Sequence, residues 1–134
     1  MTKLDVIEGI GDAYAGQLAA AGIASVEALL EACKTKKGRV ELAEKADISE
    51  KLILRWANHA DLFRIKGVAG EYAELLEAAG VDTVPELAQR NAANLAKKME
   101  EVNLEKKLVR KLPTEKQVTD WVEQAKALPR VLEY

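Results

Sequence analysis

The side chains of this sequence that could do chemistry are mostly cations, and the chemistry available to them is phosphate binding. The densest basic region lies around residues 97–116, and a smaller cluster lies in residues 34–39. Lysine and arginine side chains on one exposed face can contact successive phosphates of a nucleic acid. The alternative is a solvated helix face, because interleaved glutamates would neutralise these cations locally. The outward-facing cations of the larger region are expected to be Lys106, Lys107, Arg110 and Lys111.

Catalytic residue types are sparse. The sequence has a single histidine, His59, and a single cysteine, Cys33. One histidine and one distant cysteine make neither a metal cluster nor a nucleophile–base pair, and the carboxylates show no acid–base pattern. We therefore expect no catalytic residue, no metal site and no cofactor. We expect His59 to be partly exposed on a helix, and Cys33 to pack as a small apolar residue at a helix end.

Composition favours a folded chain whose contacts with anions are local. Of its 134 residues, 49% are hydrophobic and 31% are charged, which is enough for a core, and the net charge of −2 gives no overall attraction to phosphates or anionic lipid. A single cysteine suits a reducing compartment. The sequence contains neither a signal-peptide pattern nor an apolar run of membrane-spanning length. We therefore expect a cytoplasmic protein without a membrane partner.

An internal repeat organises the elements that must position these side chains. With a shift of 58 positions, IEGIGDAYAGQLAAAGI at residues 7–23 lies over IKGVAGEYAELLEAAGV at residues 65–81. With a shift of 65, Trp56 lies over Trp121. The repeat predicts two copies, residues 1–62 and 63–134, which pack as one body.

The predicted elements are short helices with capping residues at their ends. Asp12 is expected to cap a helix that runs to about Ala21, and Ser25 and Ser49 are expected to cap later ones. TKKGR, residues 35–39, is expected to form a turn before a helix at 40–46. Thr83 with Glu86 and Thr114 with Gln117 match the capping box. No stretch alternates like a strand, so the predicted fold is all-α. We expect Trp56 and Trp121 to be core anchors, with Tyr14 and Tyr72 locking each turn onto its copy.

The larger basic region belongs to an insert in the second copy. Between Lys98 and Thr114 this copy has 15 residues, 99–113, where the first copy has three between Lys45 and Ser49. We expect Asn103 to cap an extra short helix in this insert, with inward-facing side chains at Leu104, Leu108 and Leu112.

The glycine-containing stretches carry a resemblance to known proteins. IEGIGDAYAGQLAAAGIASVEALLEA, residues 7–32, resembles a helix-hairpin-helix motif, and ADISEKLILRWANHADL, residues 46–62, resembles the companion hairpin of a double helix-hairpin-helix unit. Over nearly its full length the sequence is similar to the bacterial family called domain of unknown function 4332.

The helix-hairpin-helix resemblance implies nucleic-acid binding without sequence preference. In such hairpins the backbone N–H groups of the turn and of the next helix hold a phosphate, often with a monovalent cation on the hairpin carbonyls. This sequence departs from the pattern at Ala69, which replaces a glycine, and at Pro113, which has no N–H. The residues that the resemblance implicates are Gly9, Ile10, Gly11, Arg64, Lys66, Gly67, Val68 and Gly70.

Two hypotheses for the function follow from the sequence, and neither is enzymatic. The first is a module that binds DNA or RNA weakly and without sequence preference, through the second hairpin and the basic insert. The second is a protein-interaction or scaffold module that makes no nucleic-acid contact, which the acidic pI of about 5.6 favours.

Overall fold

The structure is a computed structural model that describes residues 2–134. Every regular element in this range is a helix, so the all-α prediction is confirmed. The chain divides into two compact units: the residues up to Asp61 together with Val131–Tyr134, and Leu62–Arg130. Within residues 2–134, no helix combines the length and the apolar character needed to cross a membrane.

The first unit contains a 3-10 turn, Leu4–Val6, and the helices that precede the boundary. These are α1 (Asp12–Ala20), α2 (Val26–Ala32), α3 (Lys36–Ala46) and α4 (Glu50–Leu62), of which α4 ends at the first residue of the second unit. Helix α3 packs against both α1 and α2. The apolar face of α4 is buried at Ile53, Trp56 and Ala57.

The second unit repeats this order of helices. They are α5 (Gly70–Ala78), α6 (Val84–Ala88), α7 (Ala92–Lys106) and α8 (Glu115–Ala127). Helices α1 and α5 each have 9 residues, and α4 and α8 each have 13, so the matching parts of the repeat form matching elements. Trp56 is 0% exposed and Trp121 is 2% exposed, which confirms the prediction that both are core anchors.

Several predicted helix caps are confirmed. The Ser25 hydroxyl accepts a hydrogen bond from the Ala28 N–H at 3.0 Å, and the Ser49 hydroxyl accepts one from the Leu52 N–H at 3.2 Å. Thr114 and Gln117 form the complete capping box at the start of α8. These caps depend only on neighbouring residues, which is why a sequence pattern can identify them.

Other predictions of helix starts or of their capping bonds are wrong. Gly11, not Asp12, is the N-cap of α1. The TKKGR segment does not form a separate turn, because the Thr35 hydroxyl accepts from the Gly38 N–H at 3.1 Å and the helix begins at Lys36. Thr83 is the N-cap of α6, but its hydroxyl donates to the Glu86 carboxylate at 3.1 Å instead of accepting from the backbone.

The insert does not form a separate helix, contrary to the prediction. Helix α7 runs through its first part and ends at Lys106, and Lys107 adopts a left-handed conformation with φ 50°. Asn103 caps no new helix, because its side-chain amide accepts from the Val109 N–H at 3.0 Å and donates to the Val109 carbonyl at 3.2 Å. Residues 107–113, the basic loop, are therefore held in a non-helical path. Leu108 and Leu112 pack against the core of the second unit, whereas Leu104 is 74% exposed.

The last four residues belong to the first unit, although the repeat places them in the second copy. Leu132 is 3% exposed, and the Glu133 N–H donates to the Lys34 carbonyl at 2.7 Å. The Tyr134 hydroxyl donates to Oδ1 of Asn58 at 2.8 Å. The Leu132 side chain and the hydrogen bonds of Glu133 and Tyr134 thus help to attach this segment to the first unit.

Candidate nucleic-acid interface

Two equivalent glycine turns precede α1 and α5. In the first glycine turn, residues 7–11, the Ile10 N–H donates to the Ile7 carbonyl at 3.1 Å. In the second glycine turn, residues 65–69, the Val68 N–H donates to the Ile65 carbonyl at 3.2 Å. The third residue of each turn has positive φ, 96° at Gly9 and 98° at Gly67, which requires glycine. The four apolar side chains of the turns are buried, at Ile7, Ile10, Ile65 and Val68.

Aromatic pairs connect each glycine turn to the last helix of its unit. The rings of Tyr14 and Trp56 lie 5.0 Å apart in an edge-to-face arrangement, and those of Tyr72 and Trp121 lie 5.3 Å apart. Each tyrosine lies in the first turn of the helix that follows the glycine turn. These ring contacts agree with the prediction that Tyr14 and Tyr72 hold the turns onto their units, because they join the helix after each turn to the last helix of the unit.

The helices that follow the glycine turns begin without a capping side chain. Their N-cap residues are Gly11 and Ala69, neither of which has a polar side chain. The first intrahelical bonds run from the Ala15 N–H to the Gly11 carbonyl and from the Ala73 N–H to the Ala69 carbonyl. The N–H groups before these donors have no intrahelical acceptor, so they can donate to an anion at the positive helix end.

The second glycine turn is also held by a side chain of α8. Oε1 of Gln124 accepts from the Lys66 N–H at 2.8 Å, and Nε2 of Gln124 donates to the Lys66 carbonyl at 3.1 Å. The Lys66 side chain itself is exposed. The sequence analysis did not identify Gln124 as a candidate site residue. The one sequence feature that marks it is its position in the repeat, about one turn of helix after Trp121.

Arg64 is placed differently from the other predicted phosphate-binding residues. It is half-buried, and its guanidinium donates to the Pro129 carbonyl at 2.6 Å. Arg64 therefore helps to hold the segment that follows α8. In the same unit Gly70 is buried as the first residue of α5. As a glycine it has only backbone groups to contribute.

The basic loop is attached to the start of α5. The Tyr72 hydroxyl donates to the Lys111 carbonyl at 3.1 Å, which joins residues 39 positions apart. The cations of this region are exposed, namely Lys106, Lys107, Arg110 and Lys111. The hydrogen bond holds the Lys111 backbone against the Tyr72 side chain, which belongs to the first turn of α5. Tyr72 is a candidate-site residue that the sequence did not identify as one, although its repetition at Tyr14 marked the position.

Two further predictions concern His59 and Cys33. His59 is 0% exposed, so the expectation of a partly exposed position is wrong. It occupies the repeat position of Gln124, on the face of α4 that turns inward. Cys33 is buried at the end of α2, as predicted, and burial raises the pKa of its thiol to about 12, although the nearby Arg39 acts in the opposite direction. In the part of the chain that the structure describes, no three His, Cys, Asp or Glu side chains are grouped as metal ligands would be.

Comparison with known proteins identifies a family but no relative of known activity. The family model described as Domain of unknown function (DUF4332) matches residues 8–128. This range includes most of the first glycine turn, the whole of the second, and the basic loop. No curated protein and no solved structure matches the chain.

Proposed function

The chain belongs to the family described as Domain of unknown function (DUF4332), and we propose that its second unit is a non-catalytic nucleic-acid-binding module of the helix-hairpin-helix kind. The module binds DNA or RNA weakly and without sequence preference. The backbone N–H groups at the start of α5 hold one phosphate, and the cations of the basic loop contact its neighbours.

The observation that carries this proposal is the hydrogen bond from the Tyr72 hydroxyl to the Lys111 carbonyl. Tyr72 lies in the first turn of α5, where the backbone donors are, and Lys111 lies in the basic loop. The bond holds the backbone of the basic loop against the Tyr72 side chain, which supports a surface shared by the loop cations and the start of α5. The first unit has a glycine turn and a matching tyrosine, but its repeat lacks the insert that supplies these cations.

The charge distribution predicts that binding is weak and sensitive to salt. The net charge of −2 provides no long-range attraction, so the local cations must supply the whole electrostatic contribution. We expect dissociation constants in the non-specific range of about 10⁻⁴ to 10⁻⁶ M, which rise steeply with salt.

A pair of charge-matched variants tests the proposal by fluorescence anisotropy of a labelled oligonucleotide across a salt series. The test variant changes Lys107, Arg110 and Lys111 to Gln. The control changes Lys34, Lys37 and Lys126 to Gln, since each of these lysines is within 4.0 Å of a glutamate, Glu31, Glu41 and Glu123 respectively. Both variants lose the same formal charge, and all six side chains are exposed, so both are expected to fold.

In the test variant we expect the slope of log affinity against log salt to become shallower by about three, since each phosphate contact on duplex DNA contributes about 0.9. The control should keep nearly the wild-type slope. Equal losses in the two variants would contradict a localised interface. An absence of binding at about 50 mM salt, where such contacts are strong, would contradict the nucleic-acid proposal altogether.

The alternative of a protein-interaction or scaffold module has weaker support. Among the described residues, the exposed large hydrophobic side chains are Val6, Leu104 and Tyr134. Exposed apolar residues in such small number are ordinary on a protein surface. The alternative would take precedence if the oligonucleotide does not bind.

A further inference from the structure

The first unit contains a cavity in which three of the six lining residues are cations, and it lies apart from both glycine turns in the sequence. Its volume is about 320 Å³, at the lower end of the range of about 300–1,000 Å³ that is usual for small-molecule sites. It is formed by the beginnings of α3 and α4 and by the last residue of the chain. The residues that line it are Lys36, Arg39, Glu50, Lys51, Leu54 and Tyr134.

Arg39 is a buried charge with no carboxylate partner among residues 2–134. It is 5% exposed, although it lines the cavity. Among the described residues, its guanidinium has two partners: the Cys33 carbonyl, to which it donates at 2.9 Å, and the Tyr134 ring, whose centroid lies 5.4 Å away. A guanidinium has five N–H donors, and a buried charge is costly unless an opposite charge faces it. The arrangement leaves donors of Arg39 that an anion in the cavity could engage.

The other cations of the cavity, Lys36 and Lys51, differ in ion pairing from the lysines next to the cavity. Lys34 pairs with Glu31 at 2.8 Å and Lys37 approaches Glu41 at 4.0 Å. Within residues 2–134, no such ion pair is found for Lys36 on α3 or for Lys51 on α4. The side chains of the lining carry three positive charges, on Lys36, Arg39 and Lys51, against one negative charge, on Glu50. A local excess of positive side chains favours an anion.

The remaining lining residues indicate more than an inorganic ion. Leu54 provides an apolar surface, and the Tyr134 ring provides an aromatic one that is 59% exposed. Small-molecule sites typically combine such surfaces with a few polar groups that fix the orientation of the ligand. The Glu50 carboxylate can accept a hydrogen bond from a hydroxyl or amino group.

We propose that this cavity binds a small organic phosphate. The phosphate group lies against Arg39 between Lys36 and Lys51, and the organic part lies along Leu54 and the Tyr134 ring. Arginine is suited to this role because its planar fork can donate two parallel hydrogen bonds to phosphate oxygens. The proposal does not depend on the proposed nucleic-acid interface, whose residues all belong to the second unit.

Isothermal titration of the full chain with three probes tests the ligand class. Adenosine monophosphate supplies both parts of the ligand, inorganic phosphate supplies only the anion, and adenosine supplies only the organic body. We expect the monophosphate to bind more tightly than inorganic phosphate and adenosine to show no binding. Equal affinity for the monophosphate and adenosine would overturn the role of the cations. Equal affinity for the monophosphate and inorganic phosphate would overturn the role of the organic part, and an absence of monophosphate binding at millimolar concentrations would overturn the whole proposal.

Single-charge variants locate the site, and neighbouring residues provide the control. Lys36→Gln and Lys51→Gln should each weaken binding of the monophosphate by about threefold to tenfold, as expected for a partly exposed charge contact. Lys37→Gln removes the same charge one residue away and should leave the affinity unchanged. A loss with Lys37→Gln as large as with Lys36→Gln would indicate diffuse attraction and overturn the assignment.

A direct readout on Arg39 avoids substitution of a buried residue. In ¹⁵N NMR spectra of the wild-type chain, the Arg39 Nε–H signal should shift on addition of adenosine monophosphate and stay in place on addition of adenosine. A signal that is unmoved while the monophosphate binds would overturn the role of Arg39. The Lys107, Arg110 and Lys111 triple variant should bind the monophosphate like the wild type, which separates this site from the nucleic-acid interface.

Discussion

Gly67 lies directly against the indole of Trp121: a Cβ atom on this glycine would be 2.9 Å from Nε1 of the tryptophan. At Gly9 in the first unit, the corresponding distance to Nε1 of Trp56 is 3.5 Å, an ordinary contact. Both glycines have positive φ, so the backbone strain on substitution is similar, but only Gly67 adds a steric clash. The two glycine turns are therefore not equally tolerant of a side chain.

The first prediction is that Gly67→Ala destabilises more than Gly9→Ala. We expect Gly9→Ala to cost about 1 kcal/mol through backbone strain, and Gly67→Ala to cost more because the buried Trp121 must move. Gly16→Ala is the control: this exposed glycine lies inside α1, where a Cβ would meet nothing within 4 Å, so the change should stabilise by about 0.5–1 kcal/mol. Urea unfolding followed by tryptophan fluorescence measures all three. Equal losses of unfolding free energy for Gly9→Ala and Gly67→Ala would contradict the difference in space available for a Cβ atom at the two glycines.

The second prediction concerns the tyrosine that holds the basic loop. Tyr72→Phe keeps the ring against Trp121 but removes the hydrogen bond to Lys111, so the loop should lose its position beside α5. We expect oligonucleotide affinity to fall by a few-fold, about the worth of one hydrogen bond, with the helical content unchanged. Tyr14→Phe is the matched control in the first unit and should not alter the affinity. Anisotropy titrations measure the oligonucleotide affinity of both variants. Equal affinities for Tyr72→Phe and Tyr14→Phe would contradict the role of the Tyr72 hydroxyl in holding the basic loop.

The third prediction concerns the attachment of the final segment. Leu132→Ala removes a side chain that is 3% exposed, so it should destabilise the first unit by about 2 kcal/mol, at the lower end for a buried leucine. Leu104→Ala removes the same atoms from a side chain that is 74% exposed and should change stability by less than about 0.5 kcal/mol. Denaturant unfolding measures both. Similar values for the two variants would show that Leu132 does not contribute to the core in solution.

The fourth prediction follows from the buried thiol. The pKa of Cys33 is about 12 in the folded chain, raised by burial, against a reference value of 9.0. The folded state therefore favours the protonated thiol, and this contribution to stability is complete below pH 9 and is lost as the pH rises towards 12. Stability should fall more steeply over this range in the wild type than in Cys33→Ala. At pH 8 the thiol should react with Ellman's reagent only after unfolding, and rapid reaction of the folded protein would contradict its burial.

The sequence was most informative where structure depends on neighbouring residues. The caps at Ser25 and Ser49 and the capping box at Thr114 are local patterns, and the repeat identified both aromatic anchors. The prediction of a turn at residues 35–39 was wrong, because these residue types are common in turns but Thr35 acts here as a helix N-cap. The prediction of a separate helix in the insert was also wrong. Asn103 could either cap a helix or bond the backbone of Val109, and a local pattern does not distinguish the two.

The candidate interface was partly predictable for the same reason. Gly9 and Gly67 occupy equivalent positions of the repeat in the sequence, and the structure gives both a positive φ. The hydrogen bond between Tyr72 and Lys111 was not predictable, since it depends on the path of a loop rather than on a local pattern. The same holds for Arg64, whose guanidinium donates to the Pro129 carbonyl 65 residues away.

Because the segment Val131–Tyr134 belongs to the first unit, that unit is not fully synthesised until the end of translation. A ribosome produces these four residues after the whole of the second unit, although they belong to the first. When α1 to α4 have emerged, the first unit still lacks the Leu132 side chain in its core and the Tyr134 ring beside Arg39. The second unit is continuous in the chain, so its contacts do not require that segment. The unit that is translated first therefore cannot complete its core until the last residues have been synthesised.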